Sequence, residues 1–277
     1  MSYISKIEQQ KKNKNRFNIY LKTEGQKEEY AFSVDDDLLV KMKLSKGLEI
    51  DDLAIMEIQY RDHVQKAFQS AVTYLSYKIR SEKEIIHYLT EKEWEEAVVD
   101  EVIHKLREYK YINDEEYAMA FVRTQMNVAK KGPDVIHREL VEKGIEETSI
   151  LQAMNQYTDE LQMENARNLS LKTLNKNKGS MKVTKQKTIQ YLVRKGFSMT
   201  MAASVVDELA EEDTETEWNE LMKNGRKFHR KYRHLDDFQY AQKMKSSLFR
   251  KGFEMDMINR FVGLGKESIE NEEFDIE

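Results

Sequence analysis

The sequence predicts a mostly α-helical chain of tandem three-helix repeats, with a small β-rich segment ahead of them. Three observations carry that reading. A phrase recurs: Leu140-Val141-Glu142-Lys143-Gly144-Ile145, Leu192-Val193-Arg194-Lys195-Gly196-Phe197 and Leu248-Phe249-Arg250-Lys251-Gly252-Phe253. Leu89-Thr90-Glu91-Lys92 is an earlier copy, with Glu93 where the glycine would stand. The lysines Lys92, Lys143, Lys195 and Lys251 fall 51, 52 and 56 residues apart, and self-similarity at near-constant spacing is the mark of a repeat architecture. Apolar residues then follow each lysine at matched offsets: Val99, Val102 and Leu106; Ile150, Ala153 and Tyr157; Ala202, Val205 and Leu209; Ile258 and Phe261. Steps of three and four put such side chains on one helix face. Finally, one proline, ten glycines, 34% charged and 40% apolar residues favour helices that each bury one stripe.

The phrase itself reads as a helix end. A lysine in the last turn suits the negative pole of the helix, and a glycine just past it takes the left-handed conformation that closes the helix. Each copy is therefore a helix, a glycine stop and a second amphipathic helix. With one more helix ahead, three helices fill about 52 residues. Because each unit need touch only its neighbours, such an array is expected to be elongated and curved.

The first 62 residues differ. Arg16 to Leu21 alternates polar and apolar, with Phe17, Ile19 and Leu21 on one side, and Glu29 to Val34 alternates again. With Ile4 to Ile7 they predict a two- or three-stranded antiparallel sheet, which needs a helix to pack on. Asp35 to Lys43 and Ile50 to Gln59 are read as short helices, and Val64 to Arg80 as the first long one. Ser81-Glu82-Lys83-Glu84 fits a capping box. A helix over Trp94 to Lys110 follows, then another from Asn113, and Gly132-Pro133 ends that one and opens the next. The expected divisions are 1–62 (sheet and short helices), 63–112, 113–160, 161–213 and 214–265 (four repeats), and 266–277, an acidic tail expected to be disordered because six of its twelve residues are acids.

Several chemistries are excluded. Without cysteine there is no disulfide framework, thiolate metal site or cysteine nucleophile. No apolar run reaches the roughly 18 residues of a membrane span, and the start lacks the apolar core of a signal peptide, so a cytoplasmic protein is expected. Gly263-Leu264-Gly265-Lys266 fails as a phosphate loop, with Arg260 and Glu267 at two required positions. The six histidines form no metal-ligand pattern, and there is no nucleophile elbow. No enzyme, metal or cofactor is expected. Trp94 and Trp218 read as core anchors.

Charge is segregated although the net value is only −5. Between Asn165 and Val206 there is no acid and nine bases, Lys182, Lys185, Lys187, Arg194 and Lys195 among them. Between Leu221 and Leu235 there is again no acid, with Lys223, Arg226, Lys227, Arg230, Lys231 and Arg233. Two readings stand side by side: phosphate- or partner-facing patches, or solvated helix faces balanced by nearby acids. Phe228 and Tyr232, interleaved with the second block, read as core.

Three stretches resemble the bacterial regulatory protein RecX family, in the longer form of Gram-positive bacteria. Tyr74 to Glu84 is similar to the family's Arg-Ser-Glu signature, Ile112 to Ala118 to its Asp-x-x-Tyr-Ala helix start, and Lys131 to Ile145 to its Lys-Gly-Pro and Leu-x-x-Lys-Gly pair. The third repeat departs, with Gly179-Ser180-Met181 in place of Gly-Pro. The resemblance implies regulation of the RecA recombinase in homologous recombination, DNA repair and the SOS response. A RecX-like protein lies along the RecA–DNA filament and inhibits its ATPase, strand exchange and coprotease activities, with no catalytic residues of its own. On that reading the partner is the RecA nucleoprotein filament, with single- or double-stranded DNA as a further contact, and the chain acts as a monomer. The expected contact residues are Lys182, Lys185, Lys187, Arg194 and Lys195, aided by Arg226, Lys227, Arg230 and Lys231. A stand-alone DNA-binding protein and a helical protein scaffold are the alternatives.

Overall fold

The computed structural model describes residues 2–174, 180–210 and 214–271. Its contacts divide the chain into two compact units, Met1–Tyr117 with Lys143–Glu146, and Ala118–Glu142 with Glu147–Glu277.

In the first unit, β1 (Ser2–Gln9), β2 (Arg16–Thr23), β3 (Glu29–Asp35) and β4 (Glu49–Ile50) form an antiparallel sheet in the order β3-β2-β1-β4. The alternation works as expected: Ile4, Ile19, Phe32 and Val34 are buried in one core with Leu38, Leu44, Ile50 and Ile58. The fourth strand was not anticipated. It is two residues long, follows Gly47 and pairs with Ser2 and Tyr3, too short to show a period.

Helix α1 (Asp36–Lys41) is capped by the Asp35 carboxylate, and α2 (Asp52–Leu75) by that of Asp51. The two helices expected at Ile50 to Gln59 and from Val64 are thus one helix of 24 residues. It also runs across the boundary expected between residues 62 and 63. Arg61-Asp62-His63, between the two expected helices, carries no helix breaker. Asp62 is buried because Arg16 of β2 grips both its carboxylate oxygens at 3.0 Å, with Lys66 at 2.8 Å. A buried carboxylate is tolerated only when paired in this way.

Helices α3 (Glu82–Glu91) and α4 (Glu96–Glu108) pack with α2 around Val64, Ala67, Ala71, Ile85, Leu89, Val99, Val102 and Leu106. The capping box at Ser81 and Glu84 is present in full, and Trp94 packs half-buried on this core. Next come α5 (Asp114–Thr124), a π turn at Gln125–Ala129, α6 (Pro133–Glu142) and α7 (Glu147–Met154). The π turn ends at Lys130 in the left-handed conformation, φ 51°.

The third repeat is α8 (Asp159–Leu174), α9 (Met181–Arg194) and α10 (Met199–Leu209), and the fourth is α11 (Thr214–Tyr232), α12 (Asp237–Arg250) and α13 (Met255–Val262). Every apolar residue at the matched offsets is buried, except that Leu209 is half-buried against its core. At the irregular start of the third copy, Ser180 caps α9 by accepting from Val183 N–H at 3.3 Å; Gly179 lies outside the described residues. The tail also departs from expectation. Lys266–Asn271 forms a helix, α14, with Ile269 buried in the fourth core. Ile269 is the apolar residue of α14, which a count of charges over the tail misses. Residues 272–277 lie outside the described residues.

The recurring Lys-Gly turn has a recurring seat. From the second copy on, each turn rests against the head of the middle helix of the repeat before it. Ser81 Oγ donates to the Lys143 carbonyl at 2.9 Å, and Lys143 Nζ meets Glu84 at 3.2 Å. Gly132 N–H donates to the Lys195 carbonyl at 2.7 Å, and Asp134 N–H to the Gly196 carbonyl at 3.1 Å. Gly252 lies against Ser180 and Val183. Glycine is required twice over at Gly196: its φ is +96°, and a Cβ there would stand 2.6 Å from the Val135 backbone nitrogen. The first copy has no repeat ahead of it. Glu93 still takes the left-handed conformation, φ 61°, but it is exposed and keeps its side chain.

Candidate partner interface on the third and fourth repeats

The residues expected to face a partner lie on α9 and α11. On α9, Thr184, Thr188 and Leu192 form the buried stripe. At 100° per residue, Lys182 stands about 60° to one side of the middle of the exposed arc with Lys185 beyond it toward the core, and Arg194 and Lys187 stand about 60° and 80° to the other side. Lys182, Lys187 and Arg194 are exposed, and no described ion pair reaches them. Lys185 is half-buried and turned to Asp207 of α10 at 3.6 Å. Lys195 is half-buried too: its carbonyl serves the Gly132 joint, and its ammonium lies 5.9 Å from the Tyr191 ring centre.

The acid-free window is therefore not acid-free in space. Asp207 and Glu208 follow it immediately in the sequence and fold back on it. Glu208 holds Arg167 through both oxygens at 2.7 Å, and Asp207 takes Lys185. Two of the nine bases are matched in this way, and on α9 the exposed bases are Lys182, Lys187 and Arg194.

On α11, Lys227, Arg230 and Lys231 are exposed and Arg226 is half-buried. Phe228 and Tyr232 are half-buried against the fourth core, together with Trp218, with the two rings 6.2 Å apart and nearly parallel. They are packing residues rather than an open stacking platform. His229 is buried, its Nδ1 bonded to Tyr240 Oη at 2.8 Å. The bases of α11 have company that sequence reading missed. The Tyr232 phenol is held below its ordinary pKa first by the Ser247 hydroxyl and then by Lys231, Arg250 and Lys243. Lys243 and Arg250 of α12 thus extend the positive field of α11. Spread along a helix of mixed character, they gave no run to notice. The rows on α9 and α11 belong to separate repeats: α9 packs with α8 and α10, and α11 with α12 and α13.

Among the described residues no three histidines or carboxylates gather as metal ligands. No described helix is long and apolar enough to cross a membrane.

Fold and surface together define a class: a tandem three-helix-repeat protein with a β-sheet segment ahead of the repeats and exposed cationic rows on helices of its last two repeats. Family models give the class its identity. Residues 2–51 match the regulatory protein RecX N-terminal domain, 67–106 the first RecX three-helix domain, 113–154 the second, and both 159–206 and 215–262 the third. The chain belongs to the RecX regulatory family. It is 45% identical over 264 residues to the regulatory protein RecX of Bacillus cytotoxicus, covering 95% of this chain and 97% of that one. It is 44% identical over 269 residues to that of Bacillus cereus, covering 96% and 99%. A crystal structure of regulatory protein RecX aligns at TM-score 0.63 and 38% identity, covering 75% of this chain and all of that one. RecX from Lactobacillus salivarius aligns at 0.50 and 37%, covering 54% and 97%.

Proposed function

We propose that this protein is an inhibitor of the RecA recombinase. It binds the RecA–DNA filament as a monomer in the cytoplasm and suppresses ATP hydrolysis, strand exchange and coprotease activity. The observation that carries the reading is family membership along nearly the whole chain, sheet and four repeats alike. Lys182, Lys187 and Arg194, with Lys227, Arg230 and Lys231, offer cationic rows to a phosphate-rich or acidic filament surface. Lys185, Lys195 and Arg226 support those rows from half-buried positions. The protein acts by occupation and does no chemistry of its own.

The test is RecA ATP hydrolysis on single-stranded DNA with this protein titrated in. Loss of hydrolysis below one copy per RecA is expected. No loss at any ratio, with the DNA still accessible, refutes the reading. Exposure of the α9 row keeps a second reading in play, a DNA-binding protein that acts without RecA. Its signature is affinity that falls steeply with salt in the absence of RecA.

A further inference from the structure

The four-stranded sheet has a second face that the core does not use. While Ile4, Ile19 and Phe32 point inward, the opposite face carries one tyrosine from each long strand: Tyr3, Tyr20 and Tyr30. Register places Lys6 beside Tyr20 and Tyr20 beside Tyr30 in one row, and Tyr3 beside Lys22 in the next. The Tyr20 and Tyr30 rings meet edge to face at 6.0 Å, and Lys6 Nζ lies 5.1 Å from the Tyr20 ring centre. Tyr30 is 57% exposed and Tyr3 37%, a large apolar area to leave in water on a strand.

Polar groups continue the face toward the β1–β2 hairpin. Gln10, Asn18 and Ser33 bond to one another at 2.7 to 3.3 Å. The hairpin then ends in Lys11, Lys12 and Lys14, all exposed, and no described ion pair reaches them. Glu49 stands exposed beside Tyr3 in register, but three acids nearer the hairpin are engaged. Glu8 is bonded to Lys6 at 3.0 Å and to the Tyr20 hydroxyl at 3.3 Å. Asp35 and Asp36 turn their carboxylates to backbone N–H groups at the head of α1.

We propose that this face is a binding surface for single-stranded nucleic acid, with Tyr30 and Tyr3 as stacking platforms and Lys11, Lys12 and Lys14 as phosphate contacts. Exposed rings across strands of a sheet, with amide groups between them and cations at one edge, match what unpaired bases and their backbone require. A duplex does not fit, because its base faces are already stacked. Charge complementarity sets the direction: the backbone runs from the lysine-tipped hairpin toward the tyrosine row. The surface involves neither α9 nor α11 and needs no RecA.

The experiment is fluorescence anisotropy of a labelled oligothymidylate with the full chain across a salt series. Lys182→Glu, Lys187→Glu and Arg194→Glu are present in every sample, so that α9 contributes nothing. In that background, Lys11→Glu, Lys12→Glu and Lys14→Glu together are expected to weaken binding at least about tenfold. They should also flatten the slope of log affinity against log salt by about 2, three contacts at roughly 0.7 each. Tyr30→Ala is expected to cost about fivefold or more with the slope unchanged, and Tyr30→Phe to restore binding. All four positions are exposed, and circular dichroism checks that each variant is folded. Unchanged affinity in the folded hairpin variant overturns the proposal, as does absence of binding in the parent at low salt. Loss of RecA inhibition without loss of oligonucleotide affinity also overturns it, and makes the face a protein-docking surface.

Discussion

At Gly196 and Glu93 the same backbone conformation is held by different side chains, because only one of the two turns has a neighbour pressed against it. Gly196→Ala forces a Cβ into the Val135 backbone at a positive φ. It is expected to destabilise by about 2–4 kcal/mol in urea denaturation, the combined cost of left-handed strain and overlap. Glu93→Gly meets no such contact and is expected to be neutral or stabilising by up to about 1 kcal/mol. Equal and opposite results at the two sites would contradict the joint. Lys185 and its neighbours separate in the same manner. Lys182→Glu, Lys187→Glu and Arg194→Glu together should weaken RecA inhibition at unchanged melting temperature. Lys185→Glu faces Asp207 and should lower the melting temperature instead. Glu84 gives the joint a pH dependence. Burial pushes its carboxyl up, but the Ser81 N–H and then Lys143 outweigh it and hold the group below the ordinary glutamate value. A lowered carboxyl contributes its stability above the ordinary range and loses it as pH falls through the lowered value. Acid denaturation should therefore start at lower pH in the parent than in a variant whose Glu84 lacks Lys143 as a partner. Lys143→Met is that variant, and it leaves the Ser81 N–H in place.

At the scale of the element, α14 makes the sharpest claim. Ile269 is buried in the fourth core, and Lys266 Nζ bonds the Leu235 carbonyl at 2.7 Å and Asp237 at 2.8 Å. Ile269→Ala is expected to cost about 2–4 kcal/mol, measured by thermal unfolding; a cost below about 0.5 kcal/mol would mean that α14 does not dock. Elements with strong local punctuation were legible from sequence: the capping box at Ser81, Gly132-Pro133, and each glycine stop. Those set by tertiary partners were not. Asp62 is buried only because Arg16 arrives from 46 residues away, a contact that no local pattern announces. β4 exists only because Ser2 and Tyr3 offer it an edge. The basic windows were legible in the sequence but their spatial neighbours were not, since Asp207 and Glu208 return to the window only once α10 folds back. The tyrosine row on the sheet was not legible, because Tyr3, Tyr20 and Tyr30 lie 17 and 10 residues apart and only strand pairing brings them together.

For the whole molecule, the repeated joint predicts how a local injury spreads. In a chain of nearest-neighbour contacts, damage is felt on the two sides of the damaged contact and fades beyond it. Gly196→Ala should lower amide-exchange protection in α6 and α9 while Val99, Val102 and Leu106 of α4 keep theirs. Uniform loss over all four cores would mean that the chain melts as one body. The second and third repeats each bring both halves of the joint, a Lys-Gly turn and a helix head on which the next turn rests. A stretch of chain with two such compatible ends is a unit of inheritance as well as of folding. Copied in frame, it meets its flanks through contacts already present, and no neighbour has to be rebuilt. One family model matching 159–206 and again 215–262 is the trace that such copying leaves.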